Sequence, residues 1–220
     1  MKKIIKNILQ KYGYTVEQYP IVPMNIRQMN SLLYFGSMYD RINNVEGSVV
    51  ECGIGKGRSF LYLSFLIDKE GKKRKIWGFD SFEGFPEPDK EDSSVRNPKK
   101  GEWSDTSISY IKKILKNAGI KKEFILNNTM LVKGFFNKSL KEYSDGKIAL
   151  LHIDVDLYQS YMDVLNKLFP LVAKGGVVLF DEYGEDNWPG AKKAVDEFFA
   201  QTSHEILKEE KSGKYYVVKK

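Results

Sequence analysis

A single cysteine, Cys52, stands in a chain of 220 residues. It has no partner for an internal disulfide, which agrees with a reducing compartment. No apolar run approaches the roughly twenty residues that span a bilayer. The opening Met1-Lys2-Lys3-Ile4-Ile5 begins like a secretory signal, but Lys6, Asn7, Gln10 and Lys11 interrupt it too early. There is no internal repeat and no composition break that marks a second domain. These absences lead us to expect a cytoplasmic protein with no membrane attachment. The net charge is +6, yet the lysines are scattered over many short segments rather than gathered on one. A nucleic-acid partner is therefore not expected, since polyanion binding needs clustered positive charge.

What remains is a chain of 42% hydrophobic and 29% charged residues, long enough to bury one good core. Ile4, Ile5, Ile8 and Leu9 fall at helical spacing, so residues 2–12 read as an amphipathic helix that packs on its own domain or on a partner subunit, which makes a homodimer possible. Pro20 and Pro23 break that pattern, and 25–43 reads as a second helix. Residues 1–46 thus form a helical segment, a lid or an interface, ahead of a domain over 47–220.

From Ser48 the pattern alternates. Strands are expected at 49–52, 75–80, 130–134, 147–154 and 176–181, with helices at 58–67, 106–118, 137–143, 160–169 and 190–199 between and after them. A hairpin, 205–207 with 215–219, ends the chain. Nearly continuous apolar strands separated by helices predict a doubly wound, mostly parallel seven-stranded α/β sheet, covered on both faces, with an antiparallel C-terminal hairpin. One long irregular stretch, 83–102, carries three prolines and many charges and reads as a lid that is mobile without ligand and orders over the site.

Two strands end abruptly in acids. Leu150-Leu151-His152-Ile153 runs into Asp154-Val155-Asp156, and Val177-Val178-Leu179-Phe180 runs into Asp181-Glu182. Unpaired carboxylates are costly to desolvate, so either they cap loops and helices or they are wanted at the sheet edge, where open α/β sheets bind ligands. After the first strand, Glu51-Cys52-Gly53-Ile54-Gly55-Lys56-Gly57-Arg58-Ser59 forms a glycine loop ahead of a helix. Its third glycine comes one position too early for the dinucleotide fingerprint. The second strand closes on Asp80, an acid able to accept both hydroxyls of a ribose.

The loop resembles motif I of the S-adenosylmethionine-dependent methyltransferases. Further blocks sharpen the likeness: Gly78-Phe79-Asp80-Ser81-Phe82-Glu83-Gly84-Phe85-Pro86, Ile153-Asp154-Val155-Asp156-Leu157-Tyr158-Gln159-Ser160, Gly175-Gly176-Val177-Val178-Leu179-Phe180-Asp181-Glu182-Tyr183-Gly184 and Pro189-Gly190-Ala191-Lys192-Lys193-Ala194-Val195-Asp196. Together they resemble the macrocin O-methyltransferase (TylF/MycF-like) family of class I, Rossmann-like methyltransferases. The resemblance implies methyl transfer from S-adenosylmethionine to a hydroxyl of a sugar, glycan or glycosylated natural product, assisted by Mg2+ or another divalent cation. It implies cofactor contacts by Glu51, Gly53, Gly55, Gly57, Ser59, Asp80, Ser81, Gly134 and Phe135. Asp154, Asp181 and Glu182 would be metal ligands, and Asp154 or Asp156 the general base. Trp103 and Trp188 offer faces on which a sugar could stack.

Three departures bear on the carry-over. Members acting on glycosylated natural products usually have two aspartates where this chain has Asp181-Glu182, and often arginine where it has His152. Related catechol-type enzymes use a lysine base where this chain has Leu157. Two alternatives stay open: a methyltransferase-fold enzyme acting on RNA or protein, and a non-catalytic S-adenosylmethionine-binding subunit.

Overall fold

The computed structural model describes residues 25–220, so the helix expected over 2–12 lies outside them. The chain forms seven strands, β1 (Ser48–Cys52), β2 (Ile76–Asp80), β3 (Thr129–Lys133), β4 (Ile148–Ile153), β5 (Val172–Phe180), β6 (Ile206–Lys208) and β7 (Tyr215–Val218), in the order β3-β2-β1-β4-β5-β7-β6. Strands β1 to β5 are parallel, while β7 runs antiparallel to β5 and β6 to β7. This is the doubly wound sheet with a C-terminal hairpin expected above.

The helices are α1 (Ile26–Asp40), α2 (Arg58–Glu70), α3 (Ile108–Asn117), α4 (Lys122–Asn127), α5 (Phe136–Ser139), α6 (Tyr158–Leu168) and α7 (Pro189–Phe199). Strand alternation divides the core between the two faces of the sheet. Val50, Leu151, Ile153, Val178 and Phe180 meet α6 and α7 through Tyr161, Leu165, Ala191 and Val195. Val49, Leu150, Val177 and Leu179 face a second core, which contains Phe35 and Met38 of α1 and Phe60 and Leu63 of α2. Helix α1 starts with a capping box between Asn25 and Gln28 and is buried along Tyr34, Phe35, Met38 and Tyr39.

Helix α4 escaped the sequence reading, because six residues are too few to show a 3.6-residue period. Strand β5 begins earlier than expected, at Val172 rather than Gly176. None of the helices is long and apolar enough to cross a membrane among the described residues.

A buried ion pair ties α1, α2 and the start of β1 together. Arg74 donates to Glu70 and to the backbone carbonyls of Val45 and Gly47, and Tyr39 Oη donates to Glu70 Oε2 at 2.8 Å. Burial opposes the charge on Glu70, but the bonds from Arg74, Tyr39 and Lys72 outweigh it and bring its pKa down to about 2. An acid with a depressed pKa stabilises the fold fully above its ordinary pKa, 4.5 here, and loses that contribution as pH falls toward about 2. Arg74→Met leaves Glu70 buried without its partner and should cost about 3–5 kcal/mol. It should also flatten the acid limb between pH 4.5 and 2. Urea unfolding across that range checks both, and a loss below about 1 kcal/mol would make the pair a surface-like bridge of little consequence.

Candidate active site at the carboxyl ends of the strands

The strand order reverses between β1 and β4, and the crevice at such a switch point is where open α/β sheets take ligands. Here the two strand ends nearly touch. Asp154 N donates to the Cys52 carbonyl at 2.9 Å, and a Cβ built on Gly53 would lie 1.7 Å from the Asp154 carbonyl oxygen. Gly53 is therefore required by the approach of the next strand. Gly55, two residues on, borders open space at φ 50° and presents bare backbone to the cavity.

That cavity holds about 920 Å³. Of the expected cofactor residues, Gly53, Gly55, Ser59, Asp80, Ser81 and Phe135 line it, as do Asp154 and Asp156. Asp80 Oδ2 accepts from Gly55 N at 2.9 Å and Oδ1 accepts from Phe82 N at 2.7 Å, so one carboxylate holds the glycine loop and the turn after β2. Burial pushes the Asp80 carboxyl up, against the pull of those amides. Ser81 Oγ is occupied within the same turn, donating to the Gly84 carbonyl at 2.7 Å. Phe135 is only partly buried and faces the cavity, so it is not ordinary core.

Three expected residues stand behind the wall. Gly57 ends the loop in a left-handed conformation at the start of α2, and Gly134 N closes the β2–β3 edge by donating to the Asp80 carbonyl at 2.9 Å. Glu51, expected to hold the methionine end of a cofactor or a loop amide, is fully buried and does not line the cavity. Its Oε1 accepts from Ser59 Oγ and lies 3.3 Å from His152 Nδ1, while Oε2 has no protein partner. Ser59, which lines the cavity, links it to Glu51. His152 sits edge-on to Phe35 with ring centroids 5.0 Å apart. Burial disfavours its protonation, but the Glu51 carboxylate outweighs that and lifts its pKa.

The acids gather as the strand endings predict. His152, Asp154 and Asp181 can present one ligand atom each within 4.8 Å of one another, and so can Asp154, Asp156 and Glu182. Asp154 belongs to both groups. Burial first, then the neighbouring carboxylates, pushes Asp154, Asp156 and Glu182 well above the usual carboxylate range. Asp156 adopts φ 62°, a left-handed conformation unusual for a residue with a side chain, and its amide donates to Glu182 Oε2 at 3.3 Å. Lys214, from the C-terminal hairpin, pairs with Asp181 at 3.2 Å. Among the described residues no lysine or arginine pairs with Asp154, Asp156 or Glu182. A cluster of four hard oxygen donors, of which only Asp181 is paired with a lysine, fits a dication such as Mg2+.

The sequence reading missed several supporting residues. Tyr161 Oη, from α6, donates to Glu182 Oε2 at 2.6 Å and fixes that carboxylate. Leu157, where a lysine base would stand, is buried at 1% exposure. Asp92, inside the long 83–102 segment, accepts from Tyr158 N at 2.7 Å and so caps α6 from outside its own element. Neither contact has a local signal, because both join residues far apart in sequence. The segment is tied down again where Ser94 Oγ donates to the Asn187 carbonyl at 2.9 Å. Asp92→Ala should cost about 1–2 kcal/mol, the loss of a helix cap, and should speed proteolysis within 83–102. Unchanged cleavage in limited trypsin digestion would show that Asp92 does not hold this segment.

Comparison with known proteins agrees with this geometry. The family model described as macrocin-O-methyltransferase (TylF) matches residues 29–213. The chain is 29% identical over 147 residues to 8-demethyl-8-(2,3-dimethoxy-alpha-L-rhamnosyl)-tetracenomycin-C 4'-O-methyltransferase of Streptomyces olivaceus, which covers 66% of this chain and 56% of that relative. It is also 29% identical over 178 residues to demethyldecarbamoylnovobiocin O-methyltransferase of Streptomyces niveus, covering 79% and 67%. In fold it is similar to the calicheamicin methyltransferase CalS11, with a TM-score of 0.78, 24% identity and coverage of 99% and 85%.

Proposed function

Since the chain belongs to the macrocin-O-methyltransferase family, a family of O-methyltransferases built on the class I methyltransferase fold, we propose that it moves a methyl group from S-adenosylmethionine to a hydroxyl of a sugar, glycan or glycosylated natural product, with help from a divalent cation. The observation that carries this reading is one cavity lined at once by the glycine loop, Asp80 and the acids Asp154 and Asp156. The rhamnosyl acceptor in the name of the tetracenomycin relative supports the sugar as acceptor class. Asp154, Asp181 and Glu182, with Asp156 beside them, are the residues that would hold the cation. Bound there, it would lower the pKa of an acceptor hydroxyl, which is a poor nucleophile at neutral pH.

The remaining work falls to the chain. Asp80 receives the ribose hydroxyls, and the bare backbone at Gly55 lets the cofactor approach closely. Ser59, held by Glu51, keeps the loop in place. Asp154 and Asp156 orient the acceptor hydroxyl toward the methyl group, and an Asp156 carboxylate oxygen takes its proton. Burial and the neighbouring Asp154 and Asp181 carboxylates raise the Asp156 pKa, which makes it a stronger base than an ordinary carboxylate. The sulfonium already carries a good leaving group, so alignment matters more than further activation.

A small acceptor is favoured over RNA because Asp154 and Asp156 in the cavity lining, with Asp181 and Glu182 clustered beside them, would repel a phosphate backbone. The experiment is calorimetry with S-adenosylmethionine followed by an acceptor screen with magnesium and with chelator. Turnover on a sugar hydroxyl that chelator removes supports the proposal. Salt-sensitive RNA binding together with RNA methylation in chelator would replace it, and cofactor binding without turnover on any acceptor would leave a binding subunit.

A further inference from the structure

Trp103 is an odd tryptophan. It is 53% exposed, whereas Trp77 and Trp188 are 4% and 8% exposed. Its backbone lies at φ 64°, a left-handed conformation that is unfavourable for a residue with a side chain. A half-exposed indole in a left-handed conformation is not placed there by core packing alone. Strain of this kind collects at functional sites, where the surrounding structure enforces it. Trp103 also lines the same cavity as Asp154 and Asp156.

The surroundings that enforce it are specific. Phe85 meets Trp103 edge to face with centroids 4.9 Å apart, and Trp188 does so at 5.9 Å. The guanidinium of Arg96 sits 5.0 Å from the Trp103 ring, 4.9 Å from Trp188 and 5.8 Å from Phe85, so it is the hub of an aromatic box. Arg96 is held in turn by Glu102 at 2.5 Å. The backbone closes the frame: Phe85 N donates to the Glu102 carbonyl at 3.1 Å, and Gly101 N donates to the Phe85 carbonyl at 3.0 Å. Phe85 and Arg96 both come from the 83–102 segment, which sequence alone reads as an irregular loop.

We infer that Trp103 is the sugar-stacking wall of the acceptor site, with Arg96 as its positioning residue: the apolar face of a pyranose lies on the indole while its hydroxyls turn toward Asp154 and Asp156. The inference rests on the sugar O-methyltransferase reading above and adds the residue that selects the acceptor. A flat apolar face in the same cavity as two carboxylates suits a ring with carbon-bound hydrogens on one side and a vicinal diol at its edge. Trp188, buried in the box, supports the wall without being part of it.

The test uses the full chain with S-adenosylhomocysteine and magnesium present, and two vicinal-diol probes at high millimolar concentration, methyl α-L-rhamnopyranoside and methyl α-D-mannopyranoside. Acrylamide quenching of tryptophan fluorescence reports mainly on Trp103, the one well-exposed tryptophan of the three. At least one probe should lower the quenching constant about twofold, and Trp103→Ala should weaken its binding, measured by saturation-transfer NMR, about tenfold. Trp103→Phe should retain part of the binding. Arg96→Met should weaken sugar binding severalfold while S-adenosylhomocysteine affinity stays the same, and Arg96→Lys should restore only part, because an ammonium cannot stack as the planar guanidinium does. If neither sugar shields the wild type, or if Trp103→Ala binds the sugar as well as the wild type does, the inference is overturned. If S-adenosylhomocysteine itself fails to bind, the methyltransferase reading falls and the inference falls with it.

Discussion

Asp154→Asn should lower methyl transfer about a thousandfold while raising the unfolding temperature of the protein in chelator. The two effects have one cause. Asp154 is shared by both possible ligand groups and lies against Asp181 and Glu182, with no lysine or arginine paired to it and only His152 nearby to offset the charge. Removing one of these like charges relieves repulsion in a poorly solvated place, and the asparagine keeps a polar group of the same shape. The same change takes away the central ligand, so magnesium should raise the unfolding temperature of the wild type much more than that of the variant, as follows when a ligand binds only the native state. Thermal unfolding with and without magnesium, run beside an activity assay, checks all of this. An equal response to magnesium in the two proteins would remove Asp154 from the metal site, even if activity were lost.

Asp80→Ala should weaken S-adenosylmethionine binding about a hundredfold, since a charge-assisted bond contributes roughly 1.5–3 kcal/mol and this carboxylate makes more than one. Its two oxygens already accept from Gly55 N and Phe82 N, so the variant loses the ribose partner and also the brace that holds the glycine loop against the turn after β2. Asp80→Asn keeps one carbonyl acceptor and should fall between the two. Calorimetry with S-adenosylmethionine measures the series. An unchanged affinity in the alanine variant would mean that the cofactor does not use this strand end.

Much of this site could be read from the chain because its signals are local. Apolar runs closed by Asp154 and Asp181, and a glycine loop ahead of α2, need only neighbours in sequence to be seen. Glu51 shows where such reading stops. An acid beside a glycine loop suggests a contact to ligand or loop, and in the structure Glu51, on β1 between β2 and β4, is bonded to Ser59 and lies beside His152. Whether a side chain on a central strand reaches a cavity depends on what packs over it, and that comes from elsewhere in the chain. Asp92 makes the same point in reverse, since a residue in a polar loop proves to cap a helix 66 positions away.

The sequence by itself determined the strand and helix alternation, the parallel sheet with its antiparallel hairpin, and the residues that meet at the strand ends. Periodicity of burial and the cost of stranded charge are properties of short stretches, and they act on any chain that carries them. Only the tertiary structure decided which acids are paired with a lysine, since Lys214 reaches Asp181 from the far hairpin and leaves Asp154 and Asp156 to the cavity. It alone separated Trp103 from Trp188, two tryptophans that look alike in sequence. Exposure, backbone strain and the Arg96 box depend on packing among segments distant in the chain, so no single stretch could have carried them.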